Sequence, residues 1–270
     1  MTPLAGRTVG LLGLGNMGRA IADGLVRSGL VPAEFVLAYD VRDAAFEGFA
    51  GQRARSVADL AARSDVLVLA VKPWMIAGLS DQVGDAEVDV AISVAAGVPL
   101  AALRASWGRV AGAVVRVMPN TPAAVGAGMT GVVADPGTPT AAVETAEVVF
   151  GAVGSTVRLA RESDMHAFIG LAGSGPAYVF AIAEALADGA VAEGMTRAAA
   201  RTTAAAMLRG AAELLVQHEG SPAELKDAVA SPGGTTIEAL AAMESAGVRA
   251  GMIAAVRAAA GRSRSLEDDA

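Results

Sequence analysis

A chain of 270 residues, 53% of them hydrophobic, has enough apolar material for one large domain or two. Its net charge of −7, with Lys and Arg scattered, excludes an electrostatic footprint for nucleic acid. The absence of cysteine excludes disulfides, thiolate catalysis and cysteine-ligated metals, and His166 and His218 alone supply imidazole, so neither a metal site nor a Ser-His-Asp hydrolase is expected.

No basic-then-apolar leader with a small-residue cleavage pattern is read at the start. The longest uncharged runs, Met165 to Ala183 and Val117 to Ala134, are broken by Gly and Pro. A cytoplasmic protein without a membrane span is expected.

Thr8 to Gly18, T-V-G-L-L-G-L-G-N-M-G, is an apolar run that breaks into Gly13-x-Gly15-x-x-Gly18. It predicts a buried strand, a tight turn and a helix continuing through Ile21, Leu25 and Val26. Gly13 permits the turn, Gly15 lets the backbone approach a pyrophosphate, and Gly18 lets helix and strand pack closely. With Leu14, Asn16 and Met17 they form a loop whose unpaired N–H groups, at the positive end of the helix dipole, suit an anion.

In a chain with 32 glycines the pattern alone is weak. Its context strengthens it, because a second strand, Phe35 to Tyr39, follows and ends in Asp40, where a dinucleotide site grips the adenine ribose hydroxyls.

A polar helical stretch is expected over Asp43 to Gln52, and Ser56, placed with the cofactor-binding residues, is a plausible N-cap for Val57 to Arg63. Asp65 to Val71 reads as a parallel strand covered on both faces. At its carboxyl end, where open parallel sheets bind ligands, stand Ala70, Val71, Lys72 and Pro73. Lys72 either faces the cofactor phosphates or ribose, or is a solvated lysine.

A helix around Trp74 to Val83 leads to a strand, Val90 to Val94, whose end at Ala95, Ala96 and Gly97 leaves room for a flat ring. Pro99 starts a short helix. Val110 to Met118 is a fifth strand running into Pro119-Asn120-Thr121-Pro122, where Asn120 either bonds cofactor or substrate or serves as ordinary turn chemistry. Weaker strands at Met129 to Val133 and Thr156 to Leu159 flank a helix near Thr140 to Phe150. This alternation is the α/β signature.

From Arg161 the chain becomes alanine-rich helix, so residues 1–160 are read as a dinucleotide-binding domain and 161–270 as an all-α one. The helix Ala177 to Glu193, with Pro176 in its first turn, is apolar round most of its circumference and must be buried on most sides. Thin alanine-rich helices cannot cover it alone, which predicts an intimate homodimer.

Further helices are expected over Arg197 to Gln217, from Ser221-Pro222, over Ile237 to Ala246 and around Val248 to Arg262, followed by a solvated charged tail to Ala270. Ser231-Pro232-Gly233-Gly234-Thr235-Thr236 is either a plain loop and cap or an anion nest of N–H and O–H donors.

The ordered set Gly13 to Gly18, Ala70-Val71-Lys72-Pro73, Arg116-Val117-Met118-Pro119-Asn120-Thr121-Pro122, Gly173-Ser174-Gly175-Pro176-Ala177-Tyr178, Leu225-Lys226-Asp227 and Ser231 to Thr236 resembles pyrroline-5-carboxylate reductase over nearly the whole chain. The resemblance implies a Rossmann domain followed by a helical dimerisation domain, active sites at the dimer interface, and dimers that often form decamers. It implies hydride transfer from NADPH or NADH to the C=N carbon of 1-pyrroline-5-carboxylate.

By motif position, Thr236 matches the threonine that bonds the ring nitrogen, Glu219 an acidic residue of the same pocket, and Ser231, Gly233, Gly234 and Thr235 the carboxylate cradle. Asp40 repels a ribose 2′-phosphate and Arg42 attracts one; the balance tips slightly to NADH. The rivals are a hydroxy-acid dehydrogenase, for which Lys226 is the only lysine of the helical part, and a non-catalytic NAD(P)H sensor.

Overall fold

The apolar strands send alternate side chains to opposite faces of one sheet, and the two faces become two separate cores. In the computed structural model, which describes residues 3–268, the strands are β1 (Val9–Leu12), β2 (Val36–Tyr39), β3 (Gln52–Arg53), β4 (Val66–Leu69), β5 (Val88–Ser93), β6 (Ala111–Met118), β7 (Gly128–Val133) and β8 (Gly154–Arg158). They lie in the order β3-β2-β1-β4-β5-β6-β7-β8, and only β6 and β7 pair antiparallel.

Val9, Leu11, Val36, Val66, Val68 and Ile92 meet Ile21 and Leu25 of α1 (Asn16–Arg27) and Val149 and Phe150 of α5 (Thr140–Gly151) on one face. Leu12, Leu37, Leu67, Leu69 and Ala91 meet α2 (Val57–Ala62), α3 (Ile76–Ser80) and α4 (Leu100–Trp107) on the other. Trp107 is fully buried there, and its indole N–H donates to the Ile76 carbonyl at 3.0 Å. Helices on both faces of a mostly parallel sheet make this a doubly wound α/β unit.

The polar helix expected over Asp43 to Gln52 is not formed. A 3₁₀ turn, Asp43–Phe46, is followed by the short edge strand β3. Arg19 takes the carbonyls of Glu47 and Gly48, oxygens a continuing helix would use internally. Phe46 packs edge-on against Phe49, and the Arg53 guanidinium lies 4.4 Å from the Phe46 ring centre.

The chain from α6 (Asp164–Phe168) continues through a π-helical turn, Ile169–Gly173, into α7 (Gly175–Ala192), α8 (Arg197–Gln217), α9 (Pro222–Val229), α10 (Thr235–Ser245) and α11 (Val248–Asp268). Two compact units result. The first runs through Gly173 and takes in the chain from Ala258; the second is Ser174–Arg257. The break follows α6, later than residue 160, because Met165 and Phe168 pack with Leu100 and Val133 in a third small core of the first unit.

The solvated tail expected after Arg262 also requires correction, within the described residues; residues 269–270 lie outside them. Helix α11 continues to Asp268, and Glu267 meets the buried Arg116 of β6 at 3.0 Å. A guanidinium only 2% exposed needs carboxylates, and Glu162 supplies a second at 2.6 Å.

Within the second unit, α7 and α8 pack through Ala187, Ala200 and Ala204, and the Thr196 hydroxyl caps α8 by accepting from the Ala199 N–H at 3.3 Å. Little else is covered: Phe180 is 67% and Val216 87% exposed.

Candidate functional site

The carboxyl ends of β1, β2 and β4 open a cleft of about 610 Å³. Gly13 makes its floor. Its φ of +98° suits glycine, its N–H donates to the Tyr39 carbonyl at 2.8 Å, and a Cβ here would lie 2.5 Å from the Ala70 carbonyl oxygen. A Cβ on Gly18 would lie 2.1 Å from the Gly13 oxygen, so the first turn of α1 closes directly on the loop.

Helix α1 begins after Gly15 with no side-chain cap and no acidic residue in its first turn, which leaves its positive end open for an anion. Gly15, Asn16 and Met17 line the cleft there, as do Asp40, Arg42, Ala70, Val71 and Lys72, all named from the sequence. Lys72 is exposed.

The structure adds Leu12, Tyr39, Val41, Met75, Leu79 and Val94 to the walls. Tyr39 and Val41 were signalled only by flanking Asp40, and Met75 and Leu79 by following the β4 end; apolar residues beside strand ends carry no other mark.

Asp40 and Arg42 form one assembly. Asp40 Oδ2 accepts the Leu14 N–H at 2.9 Å, and Oδ1 accepts the Arg42 N–H at 2.9 Å. The Arg42 side chain lies along both oxygens, Nε on Oδ1 and Nη2 on Oδ2, each at 2.9 Å. The Arg42 side-chain hydrogen bond, helped by the backbone donors, outweighs burial and holds the Asp40 carboxyl down at about 2. The carboxylate thus ties the glycine loop to the end of β2.

Other expected contacts are used elsewhere. Ser56 Oγ accepts the Asp59 N–H at 3.0 Å and caps α2, and it does not line the cleft. Asn120 serves as an internal tie: its Nδ2 donates to the Ala172 carbonyl and its Oδ1 accepts the Met129 N–H, both at 2.9 Å. It is buried, and it holds the turn after β6 to β7 and to the π-helical turn. Ala95 is buried with its N–H on Ser93 Oγ at 3.2 Å, Ala96 is exposed, and Pro73 opens a 3₁₀ turn. Leu14 and Gly18 serve the loop from behind.

The second cluster lies in the helical unit. Ser231, Gly233 and Thr235 are exposed, Gly234 and Thr236 half-buried, and the Gly234 N–H donates to the Ser231 carbonyl at 3.0 Å, forming a turn that leads into α10. Gly234 occupies the N-cap position without a side-chain cap, and Glu238 stands in the first turn. Glu219 is exposed at the corner after α8, beside His218, whose Nε2 lies 3.1 Å from Glu224. Lys226 is exposed, with its Nζ 3.5 Å from Asp227. Among the described residues no group of acidic or imidazole side chains gathers to hold a metal.

Residues 162–266 match the family described as pyrroline-5-carboxylate reductase dimerisation, and residues 8–97 match one described as NADP oxidoreductase, coenzyme F420-dependent. The pyrroline-5-carboxylate reductase of Methanosarcina acetivorans is 38% identical over 96% of this chain and 97% of its own length. That of Escherichia coli K12 is 41% identical over 93% and 94%.

The solved reductase of Coxiella burnetii superposes with a TM-score of 0.89 at 32% identity, covering 96% of this chain and 98% of that one. A Plasmodium falciparum pyrroline carboxylate reductase with NADP bound does so with a TM-score of 0.83 at 26% identity, covering 97% and 98%. With its glycine loop, its helical unit and most of its length matched in this way, the chain belongs to the pyrroline-5-carboxylate reductase family.

Proposed function

We propose that the cleft at the ends of β1, β2 and β4 holds NAD(P)H, and that the Ser231–Thr236 turn holds the substrate. The chain is an NAD(P)H-dependent oxidoreductase that reduces 1-pyrroline-5-carboxylate to L-proline, the last step of proline biosynthesis. The observation that carries the cofactor site is the uncapped start of α1 opening into the cleft behind a turn where only glycine fits.

The residues fit the cofactor. The Gly15, Asn16 and Met17 backbone suits the pyrophosphate, Lys72 offers a cation at the β4 end, and Ala70 and Val71 present a flat apolar wall. Bound there, the cofactor supplies hydride to the C=N carbon. The protein's part is to orient the ring and settle its charge. The Ser231–Thr235 backbone receives the substrate carboxylate, the Thr236 hydroxyl orients the ring nitrogen, and Glu219 stabilises the cationic iminium. Positioning carries most of the rate in this scheme, since the nitrogen can bind already protonated.

The functional boundary is drawn near residue 160, and the match to a dimerisation family from residue 162 supports it. By length and composition alone the helical stretch Asp164–Ala192 could cross a bilayer. We assign its apolar surface instead to a homodimer, supported by that same match and by the exposure of Phe180 and its neighbours. A decamer of five dimers and a cytoplasmic location without nucleic-acid partners complete the reading; they rest on the resemblance and on composition.

Absorbance at the reduced-nicotinamide band, followed with 1-pyrroline-5-carboxylate and NADH or NADPH, tests the reaction. Rapid oxidation is expected with at least one cofactor. Binding of dinucleotide without oxidation would favour the sensor reading.

A further inference from the structure

Arg42 is positioned unlike a free surface arginine. One edge of its guanidinium, Nε and Nη2, is laid along the Asp40 carboxylate, and its backbone N–H is held by the same group. The Asp40 side chain is 8% exposed, whereas that of Arg42 is 62% exposed and lines the cleft. Nη2 lies 3.8 Å from the point where a Gly15 Cβ would stand, so the guanidinium overhangs the glycine loop. The Nη1 group makes no hydrogen bond among the described residues, which leaves its side of the fork toward solvent.

Asp40 is fully engaged by comparison. Its two oxygens already receive four donors, from Leu14, the Arg42 backbone and the Arg42 side chain. A carboxylate so occupied is a poor hook for ribose hydroxyls, and its charge is matched by the arginine it holds.

We propose that Arg42, pinned along one edge by Asp40, presents its other edge to the 2′-phosphate of NADPH and so sets the cofactor preference of this chain. The inference rests on the assignment of the cleft to a dinucleotide. It reverses the slight lean toward NADH reached by weighing Asp40 against Arg42 as opposing charges: the carboxylate is a positioning residue for the arginine, not a barrier to phosphate. A 2′-phosphate carries a charge of about −1.5 to −2 and offers oxygens at the spacing a planar guanidinium fork matches. Because Asp40 has already ordered the side chain, little rotamer freedom is left to lose on binding.

The test is direct binding. Trp74 is 79% exposed on the turn beside Met75, a wall of the cleft, while the other tryptophan, Trp107, is fully buried. Quenching of tryptophan emission by NADH and NADPH, and its reversal by 5′-AMP and adenosine 2′,5′-bisphosphate, therefore report occupancy without turnover.

Arg42→Leu is expected to weaken NADPH and the bisphosphate by about 10- to 100-fold while changing NADH and 5′-AMP by less than about 3-fold. Arg42→Lys, a point charge without the fork, should fall between the two. Equal weakening of the ligands with and without a 2′-phosphate, or no weakening, overturns the proposal. Absence of binding of any dinucleotide to the unaltered protein instead overturns the assignment of the cleft.

Discussion

Removing the buried Arg116 side chain should strongly destabilise the first unit. Arg116 stands near the carboxyl end of β6, opposite Ser93 and Val133 in the neighbouring strands, and its side chain is 2% exposed. Nη1 donates to Glu162 at 2.6 Å and Nη2 to Glu267 at 3.0 Å, and the same Glu162 oxygen accepts the Leu100 N–H at 2.7 Å. One guanidinium therefore joins β6, the start of α4 and the last turns of α11.

Arg116→Met keeps the apolar volume but leaves Glu162 and Glu267 without the guanidinium between them, a loss of about 3–5 kcal/mol by analogy with broken buried pairs. For a unit of this size each kcal/mol moves the melting midpoint by about 2–4 °C, so a drop of roughly 6–20 °C is expected. Glu267→Gln leaves Arg116 its partner Glu162 and should cost about 1–2 kcal/mol.

The assay is thermal unfolding of both single variants and the double variant at one protein concentration, since assembly shifts apparent stability. The double variant should be more stable than the sum of the single losses predicts, because the methionine no longer leaves Glu267 charged and unpaired. Additive losses, or a methionine variant within about 1 kcal/mol of the original, would falsify the idea of a three-element latch.

Thr236→Ala should lower kcat by about one to two orders of magnitude while leaving dinucleotide affinity nearly intact, as measured by steady-state kinetics beside tryptophan quenching. Equal loss of both would sink its role as an orienting group. Gly18→Ala, which places a methyl group 2.1 Å from the Gly13 oxygen, is expected to abolish dinucleotide binding in the same titration.

The Asp40 carboxyl, held at about 2 against an ordinary 3.8, contributes stability that is complete above about pH 4 and lost as pH falls toward 2. Urea unfolding should show Asp40→Asn costing about 1–2 kcal/mol at pH 7 and progressively less below pH 4, and a penalty that stays constant with pH contradicts this. Phe180→Asp puts a charge on the exposed apolar face of α7 and should shift the sedimentation profile from dimer toward monomer.

The residues that were legible announce themselves locally. Val66 to Leu69 is buried without interruption, and Gly13 and Gly18 of the loop after β1 sit where a Cβ would strike a carbonyl oxygen, so their pattern carries a steric message. Helix α8 runs over Arg197–Gln217 as its composition indicated, and Ser221 does precede α9 although its hydroxyl makes no capping bond. Strand β3 was invisible because both of its residues are exposed and no alternation marks them. Asn120 reads as turn chemistry or a ligand contact until Ala172, far along the chain, is seen to accept its amide. Glu267 lies 151 residues from Arg116, and nothing local to either distinguishes a buried ion pair from a charged tail.

The chemistry itself explains why a helical unit so thinly covered belongs to this reaction. A cyclic imine exchanges with its open amino aldehyde in water, so hydride transfer to the ring is favoured where water is kept out. In the single chain the turn that would hold the substrate is exposed at Ser231, Gly233 and Thr235, as is Glu219. Its helices also leave Phe180, Leu214 and Val216 uncovered. Under the proposed homodimer both shortages have one remedy, since a second copy that buried the apolar helices would also bring polypeptide over the loop corners between them. On this argument dimerisation and water exclusion are a single requirement, so disrupting the helical interface should abolish turnover while the glycine loop, complete within its own unit, still binds dinucleotide.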